Sequence, residues 1–265
     1  MASDESSSPN GRYLYSVIPA EAVDSLKLEV DGIDGADVYP LVVGSLAAIV
    51  SDLEEQKLRP ERKNLSAHSA VLRKLMDQST LLPVAFGIVA KDERDIRDLL
   101  ADHEREMLDQ LERVKDKVEM GLRGTLRVPD VFQFFIEKFP ELRERRDETF
   151  AGGEPSREAK IELGQLFSEL LQDLQDDYAA QAEERLRQVG EVRVSEPRSE
   201  EEMINLSVLV ARGELGSFRE AIEALAPDLD EHIDLQVSGP WPPYNFVELR
   251  IESMEEDEEE GEEAR

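Results

Sequence analysis

The chain has no cysteine, one tryptophan and three histidines in 265 residues, and only nine of its 31 basic residues are lysine. Without cysteine there are no disulfides, no thiolate nucleophile and no cysteine-ligated zinc, and nothing marks an oxidising compartment. The histidines, His68, His103 and His232, stand in separate segments without a His-Glu-x-x-His spacing, so a metal or acid/base site would have to be assembled in space. A Gly-x-Ser-x-Gly elbow, a P-loop and a dinucleotide fingerprint are absent too. Long apolar runs are also missing. The longest, Leu41 to Val50, is interrupted by Gly44 and Ser45 and falls well short of the roughly 20 residues a membrane helix needs. Met1 to Gly11 is polar with no apolar centre, so no secretory signal and a cytoplasmic location are expected.

What the chain has in excess is negative charge. Against 31 Lys and Arg stand 61 Asp and Glu, a formal net charge of −30, while 40% hydrophobic residues still suffice for an ordinary core. Such a surface repels phosphate backbones and anionic headgroups, which excludes nucleic acid and membranes as partners at this level of reading. From Glu252 to Arg265 there are nine acids and one Arg, a net −8, so the remaining chain still carries −22. A surface rich in carboxylate and poor in lysine is the composition expected of a halophile, because at molar salt the Debye length falls to about 3 Å and self-repulsion is screened; the competing reading is an ordinary acidic protein with a basic partner.

Periodicity divides the chain as follows. Residues 1–10 and 252–265 read as disordered tails, 11–128 as an N-terminal α+β domain, 129–155 as a connecting segment, and 156–251 as a second α+β domain. In the first domain, Arg12 to Val17 reads as a strand and Val38 to Val50 as a hairpin turning at Gly44-Ser45. A helix follows from Asn64 to about Gln78, then a continuous buried strand over Leu81 to Ala90. Asp92 caps one long helix whose stripe is Ile96, Leu100, His103, Met107, Leu111 and Val114, and Val118 to Val128 alternates as a strand. On those stripes His68 and His103 read as packed, hydrogen-bonded core histidines. Ser156 to about Gln188 reads as a second long helix; after it come strand, strand, helix and strand, with Ser217 and Glu220 as a capping box. That order fits a ferredoxin-like layer of helices on an antiparallel sheet, giving an α+β protein of two domains, each with helices on a mainly antiparallel sheet.

Carboxylate pairs such as Glu54-Glu55 arise by chance among 61 acids and read as solvated surface, so no catalytic residue, cofactor or metal is expected. The unusual segment is Gly239-Pro240-Trp241-Pro242-Pro243-Tyr244-Asn245-Phe246. Prolines fix φ, and Trp and Tyr offer large amphipathic contact areas, so Trp241, Pro242, Pro243, Tyr244 and Phe246 are candidate partner-binding residues. The competing reading is that the aromatics fold back to close the core or clamp the two domains.

Several segments resemble one family. Tyr13-Leu14-Tyr15, Ala67-His68-Ser69-Ala70-Val71-Leu72 and Leu82-Pro83-Val84-Ala85-Phe86-Gly87 resemble the N-terminal half of the gas vesicle GvpL/GvpF family. Ile204-Asn205-Leu206-Ser207-Val208-Leu209-Val210 and the Gly239 to Phe246 run resemble its C-terminal half. The resemblance spans roughly residues 12–250. It implies an accessory or minor structural protein of gas vesicle assembly, not an enzyme, whose partners are the small amphipathic shell protein GvpA and other accessory Gvp proteins. Length and the acidic tail lean toward GvpL. A chaperone-like role, keeping GvpA assembly-competent, is expected because free shell subunits exposing apolar surface would aggregate unless a partner covers it; a small-ligand-binding or enzymatic protein on a ferredoxin-like platform is the alternative.

Overall fold

A computed structural model describes residues 11–54 and 58–248. The expectations for residues 1–10 and 252–265 lie outside the described residues. Among the described residues, those up to Val118 together with those from Trp241 form one compact unit, and Glu119–Pro240 form the other.

The first unit is built around β1 (Gly11–Pro19), which is buried along nearly its whole length. It pairs antiparallel with β3 (Leu46–Leu53), and β3 pairs with β2 (Val38–Val43) across a two-residue turn. Gly44 takes φ +57° in that turn, where a side chain would be strained and would also meet the Glu104 carboxylate. A bulge in β1 leaves Tyr15 as the extra residue between the Leu14–Val50 and Ser16–Ile49 pairs.

The expected continuous strand over Leu81 to Ala90 is instead two short strands, β4 (Leu82–Pro83) and β5 (Val89–Ala90), both antiparallel to β1. Between them the chain turns at Gly87, with φ +97°, and Tyr13 claims the Gly87 N–H that a ladder would have used. The sheet order is β2-β3-β1-β4, with β5 further along β1.

Helix α1 (Arg62–Met76) turns His68, Val71, Leu72, Leu75 and Met76 inward. The expected long helix is two, α2 (Glu93–Asp102) and α3 (Glu104–Val114), broken at His103. Asp92 does cap α2, accepting from the N–H groups of Arg94 and Asp95. His103, expected in the core, is exposed at the break with φ −114° and ψ 14°. Ile96 and Leu100 before it and Met107, Leu111 and Val114 after it are buried, so the stripe survives the kink while the hinge residue leaves it.

The second unit begins earlier than expected. β6 (Lys117–Leu126), assigned to the first domain from sequence, shares a sheet with β7 (Gly190–Val194), β8 (Glu202–Ala211) and β9 (Ile233–Trp241) in the order β7-β8-β6-β9. With α6 (Arg157–Leu186) between β6 and β7, and α7 (Leu215–Leu225) between β8 and β9, this is the ferredoxin-like succession with β6 as its first strand. The boundaries at 128 and 156 therefore give way, because a strand follows its hydrogen-bond partners and not its neighbours in sequence.

Nor is 129–155 a connector. It forms α4 (Val131–Lys138) and α5 (Pro140–Phe150), and Phe132 and Phe135 meet Phe167 of α6 edge-on at 5.2 and 5.3 Å. The cap of α7 also differs: Glu214 stands at its start, and Ser217 lies inside, donating its hydroxyl to Glu214 Oε2 at 2.8 Å.

Candidate partner-binding segment

The proline-aromatic run begins as the last residues of β9 and ends within the first unit. Pro242 and Pro243 are buried. Tyr244–Phe246 makes one tight turn, with Tyr244 N donating to Pro242 O at 2.8 Å and Phe246 N to Pro243 O at 3.1 Å. Phe246 is fully buried, whereas Trp241 and Tyr244 remain 43% and 41% exposed. Of the five candidate contact residues, then, only Trp241 and Tyr244 present a surface. Pro242, Pro243 and Phe246 hold the segment down, because an apolar ring or pyrrolidine gains more from the core than from water.

The anchor continues downstream. Gln110 of α3 accepts from Glu248 N at 2.7 Å and donates its Nε2 to Glu248 O at 2.9 Å, so one side-chain carboxamide stands where a neighbouring strand's peptide group would. This pairing has no signal in sequence, since Gln110 sits beside the stripe among other polar residues.

Tyr244 is tied to the core by its hydroxyl, which lies 2.9 Å from His68 Nε2, while His68 Nδ1 lies 2.9 Å from the Tyr13 hydroxyl. Tyr13 in turn accepts from Gly87 N, and Tyr15 accepts from Ile33 N and bonds Ser51. His68 stacks on Tyr15 at 5.8 Å between ring centroids and meets Tyr13 and Phe86 edge-on. Burial lowers the His68 pKa to about 4 against the opposing pull of the Val84 carbonyl, and burial pushes the Tyr13 and Tyr15 phenols up. At neutral pH His68, Tyr13 and Tyr15 are therefore uncharged. A neutral imidazole receives from one tyrosine and gives to the other, which satisfies both ring nitrogens and fixes Tyr244 without an ion pair. The expectation of a packed, bonded His68 is met; its partner 176 residues away was not legible.

Clefts elsewhere are open and charged. One of about 540 Å³ lies along α3 beside His103, Glu106, Asp109 and Glu248. Another, of about 750 Å³ in the second unit, lies beside Phe134, Lys138, Asp230 and His232. Burial works against the Asp230 charge, but hydrogen bonds from Lys138 and His232 outweigh it and hold this carboxyl down at about 2. Among the described residues no group of three or more His, Cys, Asp or Glu is arranged to hold a metal ion, and no helix is long and apolar enough to cross a membrane.

The model of gas vesicle synthesis protein GvpL/GvpF matches residues 11–248. The chain belongs to the GvpL/GvpF family. Gas vesicle protein F of Streptomyces sp. (strain CB03234) is 34% identical over 209 residues, 78% of this chain and 87% of that protein. The crystal structure of GvpF from Anabaena sp. PCC7120 superposes with a TM-score of 0.76 at 25% identity, covering 91% of this chain and 99% of that one. Relatives named L also belong here: gas vesicle protein L1 of Halobacterium salinarum is 24% identical over 268 residues, covering 93% of each chain. The leaning toward GvpL over GvpF gains nothing from these identities.

Proposed function

We propose that this GvpL/GvpF protein is an accessory factor of gas vesicle assembly that binds the shell protein GvpA and keeps it assembly-competent. The observation that carries the reading is the division of labour in the run from Trp241: two large aromatics are displayed on a backbone held by buried Pro242, Pro243 and Phe246. A rigid aromatic display loses little conformational entropy when a partner docks.

A shell subunit must carry apolar surface that ends in the gas-facing wall, and such a subunit aggregates unless the surface is covered. Trp241 and Tyr244 supply amphipathic contact area for it. The edge strands β7 and β9 add a second means, since each displays one exposed valine, Val194 and Val237, on a strand at the margin of its sheet. The charge of −30 keeps the complex dispersed.

The test is capture of GvpA by the full chain in dilute and in molar salt. Retention in either, lost when Trp241→Ala and Tyr244→Ala are combined in a folded protein, supports the reading; no retention by the folded wild type in either removes direct shell binding.

A further inference from the structure

One helix departs from the charge of the rest of the molecule. Over Arg62–Met76, α1 carries Arg62, Lys63, Arg73 and Lys74 and not one Asp or Glu, in a chain whose net charge is −30. Arg59 adds a further cation just before it, and the nearest acids along the chain, Glu61 and Asp77, are the residues at its two caps.

Lys63 pairs with Asp34 at 2.9 Å. Arg59, Arg62, Arg73 and Lys74 have no ion-pair partner among the described residues, although acids outnumber bases about two to one. Arg62 and Lys63 also stand in the first turn, where the helix dipole favours acids and works against cations. The exposed side of the helix is Arg62, Leu65, Ser66, Ser69, Ala70 and Arg73: arginines at both ends, with small side chains and the 42%-exposed Leu65 between them. A second rod of chain can approach closely there.

The chain supplies an anion within reach. Glu248 is fastened to Gln110, and Tyr244 is bonded to His68 in the middle of α1. Four residues extend at most about 14 Å, so the run that starts at Glu252 begins within two such spans of Tyr244. That run, Glu252 to Glu263, holds nine acids and no base.

We propose that the exposed basic face of α1 is the docking surface for the chain's own acidic run Glu252–Glu263. Exposed ion pairs are individually weak, so the docking rests on several at once and is controlled by salt. The run covers Leu65 and the arginines in dilute salt and releases them at high salt. Nothing in this depends on GvpA.

Because the chain has no cysteine, Gly261→Cys accepts a nitroxide label at a single site. In the full-length labelled protein at about 0.1 M NaCl, amide signals of residues 62–73 should fall at least roughly twofold, recovering at about 1 M as the Debye length contracts from ~10 to ~3 Å. Arg62→Gln with Arg73→Gln should abolish the loss, each single change should halve it roughly, and the remaining amide signals report that the fold is intact. Undiminished α1 signals in dilute salt, or a loss indifferent to salt and to both substitutions, overturn the proposal. So does an equal loss in isotope-labelled, nitroxide-free molecules mixed with labelled ones, since the occupant is then a second copy.

Discussion

Trp241 and Phe246 belong to one short run and have opposite tasks, and their burial separates them. Phe246→Ala empties a fully buried site and should cost about 3–5 kcal/mol in denaturant unfolding, whereas Trp241→Ala should stay within about 1 kcal/mol and act on GvpA capture instead. Tyr244→Phe, which removes only the hydroxyl held by His68, should cost about 1 kcal/mol. His68 adds a pH dependence with a definite sign. Its folded pKa of about 4 lies below the unfolded value of about 6.5, so the unfolded chain binds the extra proton. The stabilisation is complete above about pH 6.5 and is lost as pH falls toward 4, roughly 3 kcal/mol over the window. Carboxylates titrate in the lower part of the same range, so the measurement is the difference between wild type and His68→Gln: the variant should show a shallower decline from pH 6.5 to 4, and parallel curves would contradict the assignment. The sequence marked His68 as a packed residue and Tyr244 as unusual, but a hydrogen bond closed across 176 positions leaves no periodic trace.

Elements were legible where local chemistry decides them and illegible where a distant strand does. Asp92, Gly44-Ser45 and the helix starting at Ser156 are short-range signals, and each appears as read. The break between α2 and α3 was hidden because the apolar stripe continues through it; a stripe records which side is buried, not whether the axis is straight. The domain boundary failed for a similar reason. β6 alternates as any strand does, and only its pairing with β8 and β9 assigns it to the second sheet. The Phe-rich stretch of α4 resembled a connector because the contacts of Phe132 and Phe135 with Phe167 lie on α6, beyond the loop at Gly152-Gly153. At Gly190, where β7 meets β8, an added Cβ would collide with the Leu209 carbonyl oxygen and press on Val208. Gly190→Ala should therefore cost about 1–3 kcal/mol although the change is a single methyl, and an unchanged denaturation midpoint would show that the edge strand shifts freely.

For the whole molecule, charge is the dominant fact. With a net −30, folding gathers like charges, and added salt should raise stability steadily: the denaturation midpoint at about 2 M NaCl should exceed that at about 0.1 M, and a fall would contradict a surface suited to concentrated salt. In the proposed role the same charge would keep a complex with the shell protein dispersed, while the aromatic display and the edge valines would hold its apolar surface. Family, fold class and the absence of familiar catalytic motifs could be read from composition and motifs; the discontinuous first unit, closed by residues from Trp241 onward, could not, because no local pattern tells a chain to return. Shell binding is decided by the soluble fraction of GvpA after dilution from denaturant into molar salt, with and without the full chain. Wild-type protein should keep GvpA in the supernatant, and the folded Trp241→Ala, Tyr244→Ala double variant should not. Equal sedimentation of GvpA with and without the wild-type protein would contradict shell binding.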